Sequence, residues 1–268
     1  MVYQSPYGKI HYDDYGPKDA KTLVFVHGLG ADSKCFIKQV VRFKKTYRVI
    51  VFDLPNHGQS FHFEGRFDYH AVGACLIGLL DELEIRRAVL IGLSLGGHIT
   101  QHIAFHHPKR IEALVDIGST PLHIPLRRLT YYRLYAILLI SYFLPVNILI
   151  KMIAGKDRGK TEKSKNFIMK RLAEQTGKRE VLDTARVMVK LARKGIPAQA
   201  DKPLLIVHGE NDNKTVKKVG KRWHENTEKS VYAVIENAGH VACLDNARGF
   251  NKELAKFLET LPTPDEIR

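Results

Sequence analysis

The stretch Ala88-Val89-Leu90-Ile91-Gly92-Leu93-Ser94-Leu95-Gly96-Gly97 decides how the rest of the chain is read. Ala88–Ile91 is a continuous apolar run of the kind that a strand covered on both faces requires. The pattern G-x-S-x-G follows directly, then a helix-compatible stretch from about Leu95 that Pro108 ends. In a sharp strand-to-helix turn, flanking glycines keep side chains off the serine, and its hydroxyl projects above the sheet. The first N–H groups of the helix then favour negative charge developing beside it.

Outward from this turn, apolar runs alternate with amphipathic stretches. Thr22–Val26, Arg48–Phe52, Ala113–Ile117, Pro203–Val207 and Tyr232–Ile235 read as further buried strands. Lys9–Tyr15 alternates apolar and polar residues, which predicts an edge strand. Helices are expected over Tyr69–Leu83 with Asp68 as N-cap, near Val216–Asn226, and over Arg248–Glu259. The repetition predicts an α/β fold with a mostly parallel, doubly wound sheet. It stops near Ser119 and resumes at Lys202. Residues 1–120 and 201–268 are therefore expected to form the core, with 121–200 a helical insert between core strands. The tail Leu261–Arg268 reads as loose.

Of the 268 residues, 44% are hydrophobic and 26% charged, which excludes a disordered or fibrous chain. Cys35, Cys75 and Cys243 are too scattered for a disulfide scaffold or a Cys-rich metal site. The net charge of +14 is concentrated, because residues 121–200 hold 17 basic and only 5 acidic residues. The flanking segments are close to neutral, so no nucleic-acid partner is expected. The N-terminal residues lack a basic region and an apolar core, so a cytoplasmic location is expected. Leu134–Ile150 carries no charge, but it is short for a membrane span and contains Pro145 and Asn147. It predicts one or two buried or interfacial helices.

A serine hydroxyl at its ordinary pKa is a weak nucleophile and needs a base. Among thirteen histidines, His240 follows the last strand run, at the carboxyl edge of the sheet where Ser94 also lies. His102, His106 and His107 fall on or just after the helix that begins at Leu95, His224 lies in a polar helix, and His11, His62 and His70 have no placement that leads to Ser94. Asp212, in His208-Gly209-Glu210-Asn211-Asp212, is the acid expected to orient the base, with Glu210 and Asp116 as competitors. The backbone N–H groups of Leu95 and of Leu29, in His27-Gly28-Leu29-Gly30, are the candidate oxyanion donors.

Five motifs in order make the chain resemble an α/β-hydrolase: His27-Gly28-Leu29-Gly30, Asp53-Leu54-Pro55-Asn56-His57-Gly58-Gln59-Ser60, Gly92 to Gly97, Gly209 to Asp212, and Gly239-His240. The resemblance covers both core segments. It implies that 121–200 is the family's helical cap, and that Ser94, Asp212 and His240 act as a catalytic triad without metal or organic cofactor. Asn56 stands where the family has glycine, and Ala247 near where it often has proline. Dehalogenases and epoxide hydrolases of the family use aspartate at the position of Ser94, which argues against both.

The expected activity is cleavage of carboxylic esters through an acyl-serine, as in serine carboxylesterases and lipase-like enzymes. A carbon–carbon bond hydrolase or thioesterase with the same triad is the alternative, and a ligand-binding receptor the alternative from another class. Leu134–Ile150 is expected to face an apolar acyl group, with Phe143 and Leu144 as substrate contacts beside Leu29 and Leu95. The basic stretch Lys151–Lys194 is expected on a solvated cap surface, against an anionic lipid or membrane surface, or steering an acidic substrate.

Overall fold

The computed structural model describes residues 1–60, 67–154, 161–175 and 177–262, so the end of the tail and part of the basic stretch lie outside the described residues. The strands are β1 (Val2–Ser5), β2 (Gly8–Tyr15), β3 (Thr22–Val26), β4 (Arg48–Phe52), β5 (Ala88–Leu93), β6 (Ile111–Ile117), β7 (Leu204–Gly209) and β8 (Ser230–Ile235). They form one sheet in the order β1-β2-β4-β3-β5-β6-β7-β8. The pairs β1–β2 and β2–β4 are antiparallel, and all others are parallel. The expected edge position of Lys9–Tyr15 is corrected: β1 takes the edge. A turn at Pro6 and Tyr7, with Gly8 at φ 126°, folds the four residues of β1 back onto β2.

The helices are α1 (Ile37–Phe43), α2 (Tyr69–Glu82), α3 (Leu95–His106), α4 (Arg128–Ser141), α5 (Val146–Ala154), α6 (Glu162–Gln175), α7 (Lys178–Lys194), α8 (Lys214–Glu225), α9 (Ala242–Asp245) and α10 (Ala247–Glu259). Asp68 caps α2 by accepting from the His70 N–H.

The continuous apolar strands supply both faces of the sheet. In β3, Leu23 and Phe25 join one core with Val49 and Val51 of β4, Phe36, and Phe250 and Leu254 of α10. Val24 and Val26 point the other way and pack with Ile50, Phe52, Leu76 and Leu79 of α2, and Ile99 of α3. Strand residues alternate sides, so a sheet covered on both faces favours apolar residues at successive strand positions, with Asp116 and His208 as buried exceptions.

Helices α4 to α7 all lie in the segment between β6 and β7. On α7, Val181, Leu182, Ala185, Val189 and Ala192 are buried at helical spacing while its lysines and arginines remain outside or half-exposed. The Leu134–Ile150 stretch is broken by Pro145 into parts of α4 and α5. Of the two expected arrangements, buried or interfacial, the buried one does not hold: Ile137, Leu139, Ile140, Phe143, Val146 and Ile148 are all exposed. Among the described residues no helix is long and apolar enough to cross a membrane.

Candidate active site

Strands β3 and β5 are parallel neighbours, with Val26 opposite Gly92. The chain leaves β3 for β4 on one side and returns to β5 on the other. Strand order reverses here, and the two following loops open a crevice at the carboxyl ends.

Ser94 sits in that crevice at φ 53°, ψ −110°. A non-glycine residue held there costs about 1–3 kcal/mol, so the surroundings must fix it. The Ser94 N–H donates to the Ile117 carbonyl at 2.8 Å. A Cβ on Gly96 would stand 2.1 Å from the Val26 carbonyl oxygen, and one on Gly92 would stand 2.5 Å from Gly96 and Gly97 backbone atoms. The pentapeptide glycines are therefore required by backbone packing around the turn.

The structure brings the three expected side chains together. His240 Nε2 lies 3.0 Å from Ser94 Oγ, and His240 Nδ1 lies 3.1 Å from Asp212 Oδ1. Asp212 is buried, and its Oδ1 also accepts from the Asn213 N–H at 2.7 Å. Burial opposes its charge. The flanking imidazoles of His208 and His240 outweigh that and hold its carboxyl well below the usual range. His208 Nδ1 approaches Asp212 Oδ2 at 3.5 Å from a fully buried position. Sequence reasoning passed over His208, although its place four residues before Asp212 was the available signal.

The competing acids have other work. Glu210 Oε2 accepts from the Asn237 N–H at 2.9 Å, which latches the loop after β7 to the loop that carries His240. Asp116 lies beneath α3, accepting from Gln101 Nε2 at 2.7 Å and from the Ser119 hydroxyl and N–H. Burial pushes its carboxyl up to about 6 against those hydrogen bonds.

A cavity of about 540 Å³, including its open mouth, adjoins Ser94 and His240. Gly28, Leu29, Ala31, Cys35 and Leu93 line it from the core, with Phe167, Ile168 and Met188 from α6 and α7. Leu29 therefore stands at the reacting end. Leu95 is the first residue of α3, where an N–H has no acceptor within the helix. Burial raises the Cys35 thiol well above its ordinary pKa, so it stays neutral and does not compete with Ser94.

Phe143 and Leu144 are not among the lining residues. Phe143 is 88% exposed in the turn after α4, and the Leu144 carbonyl accepts from Lys178 Nζ at 2.6 Å. The reason is that α6 and α7, and not the more apolar α4, lie across the crevice. Helix α6 is held there by Leu172 against Gly30, by Arg171 Nε 3.2 Å from Asp32 Oδ2, and by Lys163 Nζ bonded to the Leu244 carbonyl at 2.9 Å. The 3.6-residue spacing of apolar positions within the basic stretch was the signal for these contacts.

A mostly parallel sheet with a serine on the turn after β5, and an acid and a histidine after β7 and β8, defines an α/β-hydrolase-type hydrolase. The family model for the alpha/beta hydrolase fold matches residues 21–247, and the chain belongs to that family. It is similar to a pimeloyl-(acyl-carrier protein) methyl ester esterase of Neisseria meningitidis, 26% identical over 91% of this chain and 95% of that one. It is also similar to a 2-hydroxy-6-oxononadienedioate/2-hydroxy-6-oxononatrienedioate hydrolase of Burkholderia vietnamiensis, 28% identical over 93% of this chain and 91% of that one. Among solved structures, Est816, described as an N-acyl homoserine lactone degrading enzyme, superposes with a TM-score of 0.81 at 21% identity, covering 96% of this chain and 100% of its own.

Proposed function

We propose that the chain is a serine hydrolase of carboxylic esters with an apolar acyl or alcohol group. The observation that carries this is the Ser94–His240–Asp212 relay, at 3.0 and 3.1 Å, opening on an apolar cavity. His240 takes the Ser94 proton as Oγ attacks the ester carbonyl. The Leu29 and Leu95 N–H groups stabilise the oxyanion, and His240 returns the proton to the leaving alkoxide. Water then repeats the sequence on the acyl-Ser94. Among the described residues the cavity lining carries no basic side chain besides His240, which favours a neutral ester over the dianionic substrate named for the Burkholderia relative. The test is turnover of p-nitrophenyl esters of graded acyl length, together with fluorophosphonate labelling. Ser94→Ala should abolish labelling and lower kcat by at least about 10⁴-fold. Turnover that survives Ser94→Ala, or none on any length, overturns the reading.

The ester is met at an anionic lipid surface. Nine of the sixteen large exposed hydrophobics among the described residues fall within 129–152, including Leu129, Tyr132 and Ile140 on α4, Phe143 in the turn after it, and Ile148 and Met152 on α5. A surface helix in water turns mainly polar residues outward, whereas α4 also exposes Leu129, Tyr132, Ile137, Leu139 and Ile140. No acidic residue occurs from 117 to 156, whereas Arg127, Arg128, Arg133 and Lys151 do. Apolar side chains ringed by cations suit insertion beneath anionic headgroups, where each Lys or Arg adds about 1 kcal/mol. Helix α4 packs on α7 and α5 on α6, so this face is one helix layer from the cavity wall. Three free, buried cysteines suit a reducing compartment such as the cytoplasm.

A further inference from the structure

Three histidines that the triad does not use converge at the far end of α3. His102 and His106 are four residues apart on α3 and share a helix face. His70, in the first turn of α2, meets them from the neighbouring helix. The ring centroids lie 4.5 Å (His70–His102), 4.8 Å (His70–His106) and 4.4 Å (His102–His106) apart. One ring nitrogen from each comes within 4.8 Å of the others. We propose that His70, His102 and His106 form a binding site for a borderline divalent transition-metal ion of the zinc or nickel type.

The donor set selects the class of ion. Three imidazoles suit zinc, nickel or copper, and hard ions such as magnesium or calcium prefer oxygen. His102 is buried, whereas His70 and His106 are exposed. Tetrahedral zinc with Zn–N near 2.0–2.1 Å needs the nitrogens about 3.4 Å apart, so the two exposed rings would turn toward His102 to hold it.

The ion is not part of the reaction. Ser94 caps the opposite end of α3, and His102 and His106 lie about 12 and 18 Å along the axis at 1.5 Å per residue. Its effect is to staple α2 to the helix that positions the nucleophile. The experiment is titration of untagged full-length protein with zinc and with nickel, followed by calorimetry and thermal melting. The cobalt(II) spectrum reports ligand number directly. Wild type should bind one ion, and at a hundredfold excess over Kd its Tm should rise by about 5 °C. His70→Ala and His106→Ala, both at exposed positions, should each weaken binding at least about tenfold and remove the low-coordinate cobalt spectrum. His102→Ala should abolish binding. An absence of binding by wild type, or equal binding by wild type and the two exposed-site variants, overturns the site.

Discussion

The Thr161 hydroxyl, one residue before α6, donates to Asp245 Oδ1, while Asp245 Oδ2 accepts from the Gly239 N–H at 2.8 Å. One carboxylate thus joins the insert to the residue preceding His240. Asp245→Asn keeps an acceptor for only one of the two donors. It should lower kcat on a short soluble ester about tenfold, a barrier change of about 1.4 kcal/mol. Thr161→Val removes only the link to the insert. It should leave kcat on the short ester within about twofold and raise KM for longer acyl chains. Steady-state kinetics on both substrates separate these outcomes, and equal effects of the two variants would remove any special role for the Gly239 contact.

The acid is identified by comparing Asp212→Asn with Glu210→Gln. An amide at 212 no longer holds the imidazole tautomer or balances its positive charge, and kcat should fall by about 10⁴-fold. Glu210→Gln keeps an acceptor for the Asn237 N–H and should cost less than about tenfold. A larger loss in the Glu210 variant would transfer the role.

Asp116 sets a direction for stability against pH. Its folded-state carboxyl is raised to about 6 from an ordinary 3.8, chiefly by burial. Between those values the folded chain binds more proton than the unfolded one, so this group's contribution is full below pH 3.8 and falls as pH rises to about 6. The loss amounts to about 3 kcal/mol at most. Asp116→Asn does not titrate. Its Tm relative to wild type should therefore climb by several degrees between pH 4 and pH 7, and thermal melts at both pH values check the slope.

The exposed face of α4 gives a measurement independent of turnover. Wild type should sediment with vesicles rich in phosphatidylglycerol, release as salt is raised, and bind phosphatidylcholine vesicles weakly. The double variant Ile140→Ser/Phe143→Ser should bind the anionic vesicles at least about tenfold less, because each side chain carries about 1.5–3 kcal/mol of burial. Equal sedimentation of variant and wild type would dismiss the face as a docking surface.

Strands β3 to β7 were legible because a strand buried on both sides is written as an unbroken apolar run, as in Thr22–Val26. Tyr232–Ile235 was expected to be buried in the same way, but β8 closes the far edge of the sheet and leaves Val231 and Val234 exposed. The approach of Ser94, Asp212 and His240 followed from strand ends lying at one sheet edge. β1 was missed because four residues carry too short a pattern to register. Phe143 and Leu144 were expected at the cavity because apolar content was equated with burial. Tertiary packing instead chose α6 and α7, whose sparse apolar residues repeat with the helical period. The histidine cluster was not legible: His70 lies 32 residues before His102, and only the packing of α2 on α3 brings them together.

The triad is divided along the chain, with the serine before the insert and its two partners after it. During synthesis the N-terminal parts of a chain emerge and begin to fold first. The nucleophile turn and the helices that overlie it therefore leave the ribosome before Asp212, and His240 comes later still. If the three act as proposed, a nascent chain carries an inert alcohol until its last strand has been made, so the serine becomes reactive only in molecules whose covering helices already exist.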